Sequence, residues 1–98
     1  MKLLIIEDYG PLRLSVAARL TEDGYKVDGT ADGAEGLWMA TENAYSLVLL
    51  DLTLPSMNGL DVLRKLRQKK PDLSVLITTA QDAIEDRVGG WRTTRGSV

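Results

Sequence analysis

Leu47-Val48-Leu49-Leu50-Asp51 is the stretch on which the fold turns: four apolar residues in succession, then a carboxylate. A strand with one wet face alternates apolar and polar residues, whereas an unbroken apolar run of strand length suits a strand covered on both faces, as in a parallel sheet. Leu3-Leu4-Ile5-Ile6 and Val75-Leu76-Ile77 repeat the type. The segments between carry helical period instead. From Pro11, favoured in a first helical turn, Leu12, Val16 and Leu20 recur at i, i+4 and i+8, and Gly24 ends the pattern as a left-handed position. A short strand is expected over Tyr25 to Thr30, then a second helix from Gly33 to about Thr41 with Leu37 and Ala40 on one face. Gly36 inside it should cost about 1 kcal/mol relative to Ala. Asn58 suits the N-cap of a third helix running to about Gln68, with Val62, Leu63 and Leu66 inward, and Pro71 leads into the fourth strand. Asp82 and Glu85 have the spacing of a capping box opening a fourth helix that Gly89 and Gly90 end.

The order βαβαβαβα predicts an α/β fold: a flavodoxin-like open parallel sheet with right-handed crossovers and helices on both faces. Ninety-eight residues make one small domain. At 44% apolar and 27% charged, the composition is that of a folded globular chain, and no apolar run reaches membrane-span length or forms a signal-peptide core. A cytoplasmic location is expected, with no membrane partner. The chain has neither Cys nor His, which excludes disulfides, thiolate chemistry, histidine bases and nearly every zinc site. The net charge of −2 hides an asymmetry, because residues 1–60 carry four basic against nine acidic side chains and residues 61–98 carry eight against five. A cation would be drawn to the first part. In the second, Arg64, Lys65, Arg67, Lys69 and Lys70 gather at one helix end, where the helix dipole favours cations, so a solvated helix end is preferred over a nucleic-acid patch.

In open α/β sheets, ligands sit beyond the carboxyl ends of the strands. Glu7 and Asp8 follow the first strand and Asp51 the third, and in a flavodoxin-like order those strands are neighbours. Each acid alone could merely cap a helix or face solvent. Three converging carboxylates, however, oppose one another's ionisation unless a cation joins them, and a hard divalent ion with oxygen ligands, Mg²⁺ first among them, resolves the conflict. A carboxylate held in such a site can attack phosphorus to form an acyl phosphate. Thr78-Thr79-Ala80 ends the fourth strand on the same edge: Thr79 could donate its hydroxyl to a phosphoryl oxygen, although paired threonines are also ordinary strand formers.

Taken together, these residues resemble the receiver domain of two-component response regulators, particularly receivers that precede winged-helix output domains. The resemblance covers residues 1–88. It rests on Leu3 to Asp8 with its Glu-Asp pair, Gly24-Tyr25, the Asp32, Gly33, Glu35, Leu37 series, and the run Asp51-Leu52-Thr53-Leu54-Pro55-Ser56-Met57-Asn58-Gly59-Leu60. Val62, Leu63, Arg64, Leu66, Arg67 and the Thr79-Ala80 pair extend it. It implies that Asp51 accepts a phosphoryl group from a sensor histidine kinase, and that Glu7 and Asp8 hold Mg²⁺ with Asp8 the more direct ligand. It also implies that Thr53 supplies a main-chain carbonyl to the metal, that Thr79 is a switch hydroxyl, and that Pro55 and Gly59 shape the loop beside the site.

After the fourth helix the family continues with a fifth strand bearing a phosphate-binding lysine and an aromatic switch residue, then a fifth helix, and this chain departs from that pattern. Its last lysine is Lys70, which precedes the fourth strand and so lies at the wrong edge of the sheet. Residues 89–98 show no period and are expected to form a flexible tail. The expectation is therefore a partial receiver lacking the fifth strand and helix, truncated or altered after about residue 88. Its fourth strand should be an open edge and its Leu12 and Val16 partly uncovered. A homo-oligomer or domain-swapped dimer would cover both. The leading function is a phosphorelay receiver, not itself an enzyme, impaired in switching and with no direct nucleic-acid binding. Two rivals are an interaction-only decoy for a kinase or partner receivers, and a small aspartyl-phosphate phosphatase. The latter is disfavoured because that chemistry usually needs a second acid where Thr53 stands.

Overall fold

Each of the three apolar runs is a strand. The computed structural model describes residues 1–52, 54 and 57–78, together with the backbone of 91–94. In chain order the elements are β1 (Lys2–Ile6), α1 (Gly10–Glu22), β2 (Lys26–Thr30), α2 (Gly33–Glu42), β3 (Leu47–Asp51), α3 (Gly59–Lys69), β4 (Ser74–Thr78) and β5 (Trp91–Thr94). The sheet order is β2-β1-β3-β4-β5. Its first four strands are parallel, with Ile6 opposite Leu50 and Asp51 opposite Thr78.

The unbroken apolar runs have the predicted consequence. Leu4, Ile6, Val48, Leu50, Val75 and Ile77 form one sheet face and pack with Ala40 of α2 and Val62 and Leu66 of α3. Leu3, Ile5 and Leu49 point the other way and are buried as well. On that second face α1 contributes no buried residue, and Leu12 is 41% exposed while Val16 is half-buried. Leu12 and Val16 are thus partly uncovered, as expected for a receiver without the fifth helix.

Local chemistry sets the helix ends. Pro11 occupies the first turn of α1, and Gly24 takes φ 97° just beyond its end. The Asp32 carboxylate accepts the Glu35 N–H at 2.8 Å to cap α2, and the Asn58 side-chain oxygen accepts the Leu60 N–H at 2.8 Å to cap α3. Gly36, unfavourable for a helix on propensity alone, has a packing reason. A Cβ there would stand 2.6 Å from Cδ1 of Ile6, so only glycine lets α2 lie this close to β1. Three of the five basic residues there are engaged within the chain: Arg64 meets Asp61 at 2.8 Å, Arg67 donates to the Leu73 carbonyl, and the Lys70 ammonium donates to the Asn43 carbonyl at 2.6 Å.

The β4 edge corrects one expectation. It is not open: β5 pairs with it antiparallel, Trp91 opposite Thr78 and Thr94 opposite Val75. Four residues are too few to show a period, so this strand was invisible to pattern reading. Its formation follows from the ladder groups that β4 would otherwise leave unpaired. No fifth parallel strand is present among the described residues. The fourth helix expected from Asp82 lies outside them.

Candidate acidic site at the carboxyl edge of the sheet

Asp51 is the last residue of β3, and Glu7 and Asp8 follow the last residue of β1, its neighbour in the sheet. The strand register therefore delivers all three acids to one edge. Each contributes a carboxylate oxygen to a cluster within 4.8 Å. Asp51 is 3% and Glu7 8% exposed, while Asp8 faces solvent. The site thus has a buried floor of two carboxylates and a solvent-facing third.

Two backbone features place Asp51. The Leu52 N–H continues the β3–β4 ladder to the Thr78 carbonyl at 3.1 Å, and the Gly59 N–H donates to the Leu52 carbonyl at 3.1 Å. The start of α3 presses so closely on this turn that a Cβ on Gly59 would stand 2.3 Å from the Leu52 Cα and 2.7 Å from the Asp51 carbonyl oxygen. Only glycine fits.

Glu7 is held through its N–H, its carbonyl and one carboxylate oxygen. Its N–H donates to the Thr30 carbonyl at 3.0 Å, its Oε2 accepts the Tyr9 N–H at 3.1 Å, and its carbonyl accepts Nη1 of Arg13 at 2.8 Å. Burial pushes its carboxyl from the ordinary 4.5 up to about 8; the Tyr9 N–H opposes this, and the hydrogen bond and charge of Asp51, with a hydrogen bond to Asp8, add to it. Arg13 was not singled out by sequence reasoning. The available signal was a basic residue in the first turn of a helix that follows an acidic loop.

Thr53 and Thr79 lie outside the described residues, as does Pro55. The residue before Thr79 is Thr78, the register partner of Asp51.

Residues 3–93 match the family model of the response regulator receiver domain. The chain belongs to that family. Among its curated relatives, transcriptional regulatory protein HprR of Escherichia coli is 41% identical over 90 residues, covering 92% of this chain and 40% of that protein. Two-component response regulator PhoP of Pseudomonas aeruginosa is also 41% identical over 90 residues, with the same shares. This receiver therefore spans about 40% of the length of those relatives. Among solved structures, the non-phosphorylated HemR receiver domain of Leptospira biflexa superposes with a TM-score of 0.77 at 35% identity, over 91% of this chain and 72% of that one. Response regulator TrrA of Thermotoga maritima in complex with Mg²⁺-BeF gives 0.78 at 31% identity, over 87% and 75%. The complex of TrrA with histidine kinase ThkA gives 0.75 at 33%, over 81% and 68%. Among the described residues of this receiver, no helix is long and apolar enough to cross a membrane.

Proposed function

We propose that this receiver accepts a phosphoryl group on Asp51 from a sensor histidine kinase in the cytoplasm, with Mg²⁺ held at Glu7, Asp8 and Asp51. The observation that carries the reading is the cluster of three carboxylates within 4.8 Å, one of them at the end of β3. Hard oxygen donors on one exposed and two buried acids suit a small divalent cation that keeps several waters. The upward displacement of Glu7, caused first by burial and further by Asp51, fits a site that lacks a counter-charge, which a cation would supply. Bound there, Mg²⁺ supplies positive charge against the carboxylates and the incoming phosphoryl oxygens.

A carboxylate oxygen of Asp51 forms the new bond to phosphorus as the bond to the donor's imidazole nitrogen breaks, and the electron pair leaves with the imidazole. The product is an acyl phosphate on Asp51. In this reading Thr53 offers its main-chain carbonyl to the metal, and Thr79, one residue beyond the partner of Asp51, offers a hydroxyl to a phosphoryl oxygen. Three carboxylates and Mg²⁺ sum to about −1, and phosphorylation takes the site to about −2. The family's fifth-strand lysine has no counterpart in β5, whose residues are Trp91, Arg92, Thr93 and Thr94.

Incubation with acetyl phosphate, followed by intact mass, tests the reading. One added phosphoryl group that requires Mg²⁺ is expected. Absence of the adduct at millimolar metal, or its appearance without metal, would overturn it.

A further inference from the structure

We propose that Arg13 is a positioning residue for the acidic site, holding the Glu7–Asp8 loop in the geometry that binds the cation. The inference rests on the Mg²⁺ reading above for its effect on affinity, and on geometry alone for its effect on the loop. Three hydrogen bonds close a ring: Tyr9 N–H to Glu7 Oε2 at 3.1 Å, Arg13 N–H to the Tyr9 carbonyl at 3.0 Å, and Arg13 Nη1 to the Glu7 carbonyl at 2.8 Å. The ring joins the carboxylate in the site to the first turn of α1. No side chain of α1 is fully buried, so the polar contacts of its first turn carry a larger share of holding it to the sheet. The guanidinium is its polar tether.

The side chain packs along Gly29 and Gly10 at ordinary van der Waals distance. Arg13 runs past two glycines: its Cδ lies 3.4 Å from where a Cβ on Gly29 of β2 would stand, and its Nη2 lies 3.8 Å from the corresponding point on Gly10. Gly29 directly precedes Thr30, whose carbonyl receives the Glu7 N–H. One side chain thus spans β2, the end of β1 and the start of α1, and meets Glu7 at its main chain rather than at its carboxylate. Arg13 orients the ligand-bearing loop without itself competing for the metal. Groups that orient metal ligands from behind typically cost about 10- to 100-fold in metal affinity when removed.

The test uses the full chain. Mg²⁺ is titrated by amide NMR into wild type, R13A, R13K and G29V, with L14A as a control on the exposed side of α1. R13A should bind Mg²⁺ about 10- to 100-fold more weakly, and R13K should recover part of the loss by donating to the same carbonyl. G29V, which keeps the arginine and sets branched methyls beyond a Cβ already in contact with its stem, should copy R13A even if R13A folds poorly; L14A should match wild type. Without metal, the Tyr9 and Glu7 amides of R13A should exchange at least about 10-fold faster while those of β3 and β4 stay protected. Wild-type affinity in both R13A and G29V overturns the link to the site. Unchanged exchange at Tyr9 and Glu7 overturns the tether. If wild type ignores Mg²⁺ altogether, the metal reading fails, and the exchange data still decide the role of Arg13.

Discussion

Raising the pH of the metal-free protein should destabilise it, through Glu7. A carboxyl whose folded-state value is raised above its unfolded value contributes stability that is fully present below the unfolded value and is lost as pH climbs through the folded one. For Glu7 the window runs from the ordinary 4.5 to about 8. At about 1.4 kcal/mol per pH unit, the whole window is worth at most about 5 kcal/mol, and the part between about pH 5 and about pH 7 roughly 2 to 3 kcal/mol. That is a large share of the 5 to 15 kcal/mol typical of small domains. The chain contains no histidine, so Glu7 is the side chain expected to dominate this window. With a urea slope of about 1 to 2 kcal/mol per molar, the denaturation midpoint in EDTA should fall by about 1 to 3 M between those pH values. Glu7→Gln should flatten the slope. Millimolar Mg²⁺ should restore stability more at about pH 8 than at about pH 5, because the cation requires the deprotonated carboxylate. A midpoint independent of pH in wild type, or a slope that survives in Glu7→Gln, would refute the reasoning.

Gly59→Ala forces a Cβ against the Leu52 and Asp51 backbone, so it should lose about 1 to 3 kcal/mol or more of stability by urea denaturation and also slow acetyl-phosphate labelling; wild-type behaviour in both would show that the turn yields freely. Gly36→Ala gains up to about 1 kcal/mol of helix propensity yet should be destabilised on balance, because its Cβ collides with buried Ile6; a raised urea midpoint would contradict the packing argument. Beryllofluoride with Mg²⁺ should leave the sedimentation coefficient nearly unchanged, since a single threonine hydroxyl supplies roughly 0.5 to 1.5 kcal/mol where a full two-state switch needs about 5.5. A cooperative change in association would count against it.

The parallel sheet and the meeting of the three carboxylates were legible because both follow from short-range facts: apolar runs long enough for a strand, and acids directly after two of them. Burial turned the second fact into chemistry, and burial depends on neighbours that no local pattern names. Nothing in Glu7 itself distinguishes it from solvent-exposed Asp8. Gly36 was read only as a helix weakness, because its contact with Ile6 joins residues thirty positions apart. β5 was missed for the same reason: Trp91–Thr94 is a strand by virtue of the β4 edge rather than its own periodicity. Arg13 belongs with these, since its partners are main-chain atoms brought close by the β1–α1 turn.

The most direct test of the central claim is to locate the phosphoryl group itself. Wild-type protein is treated with acetyl phosphate and Mg²⁺, reduced with borohydride, which converts an aspartyl phosphate to homoserine, and digested for peptide sequencing by mass spectrometry. Homoserine at position 51 alone, absent when Mg²⁺ is omitted, is the expected result. Homoserine at Asp8 or another aspartate in place of Asp51, the one-carbon-longer hydroxynorvaline that a reduced glutamyl phosphate would leave at Glu7, or no reduced residue at all, would contradict the account.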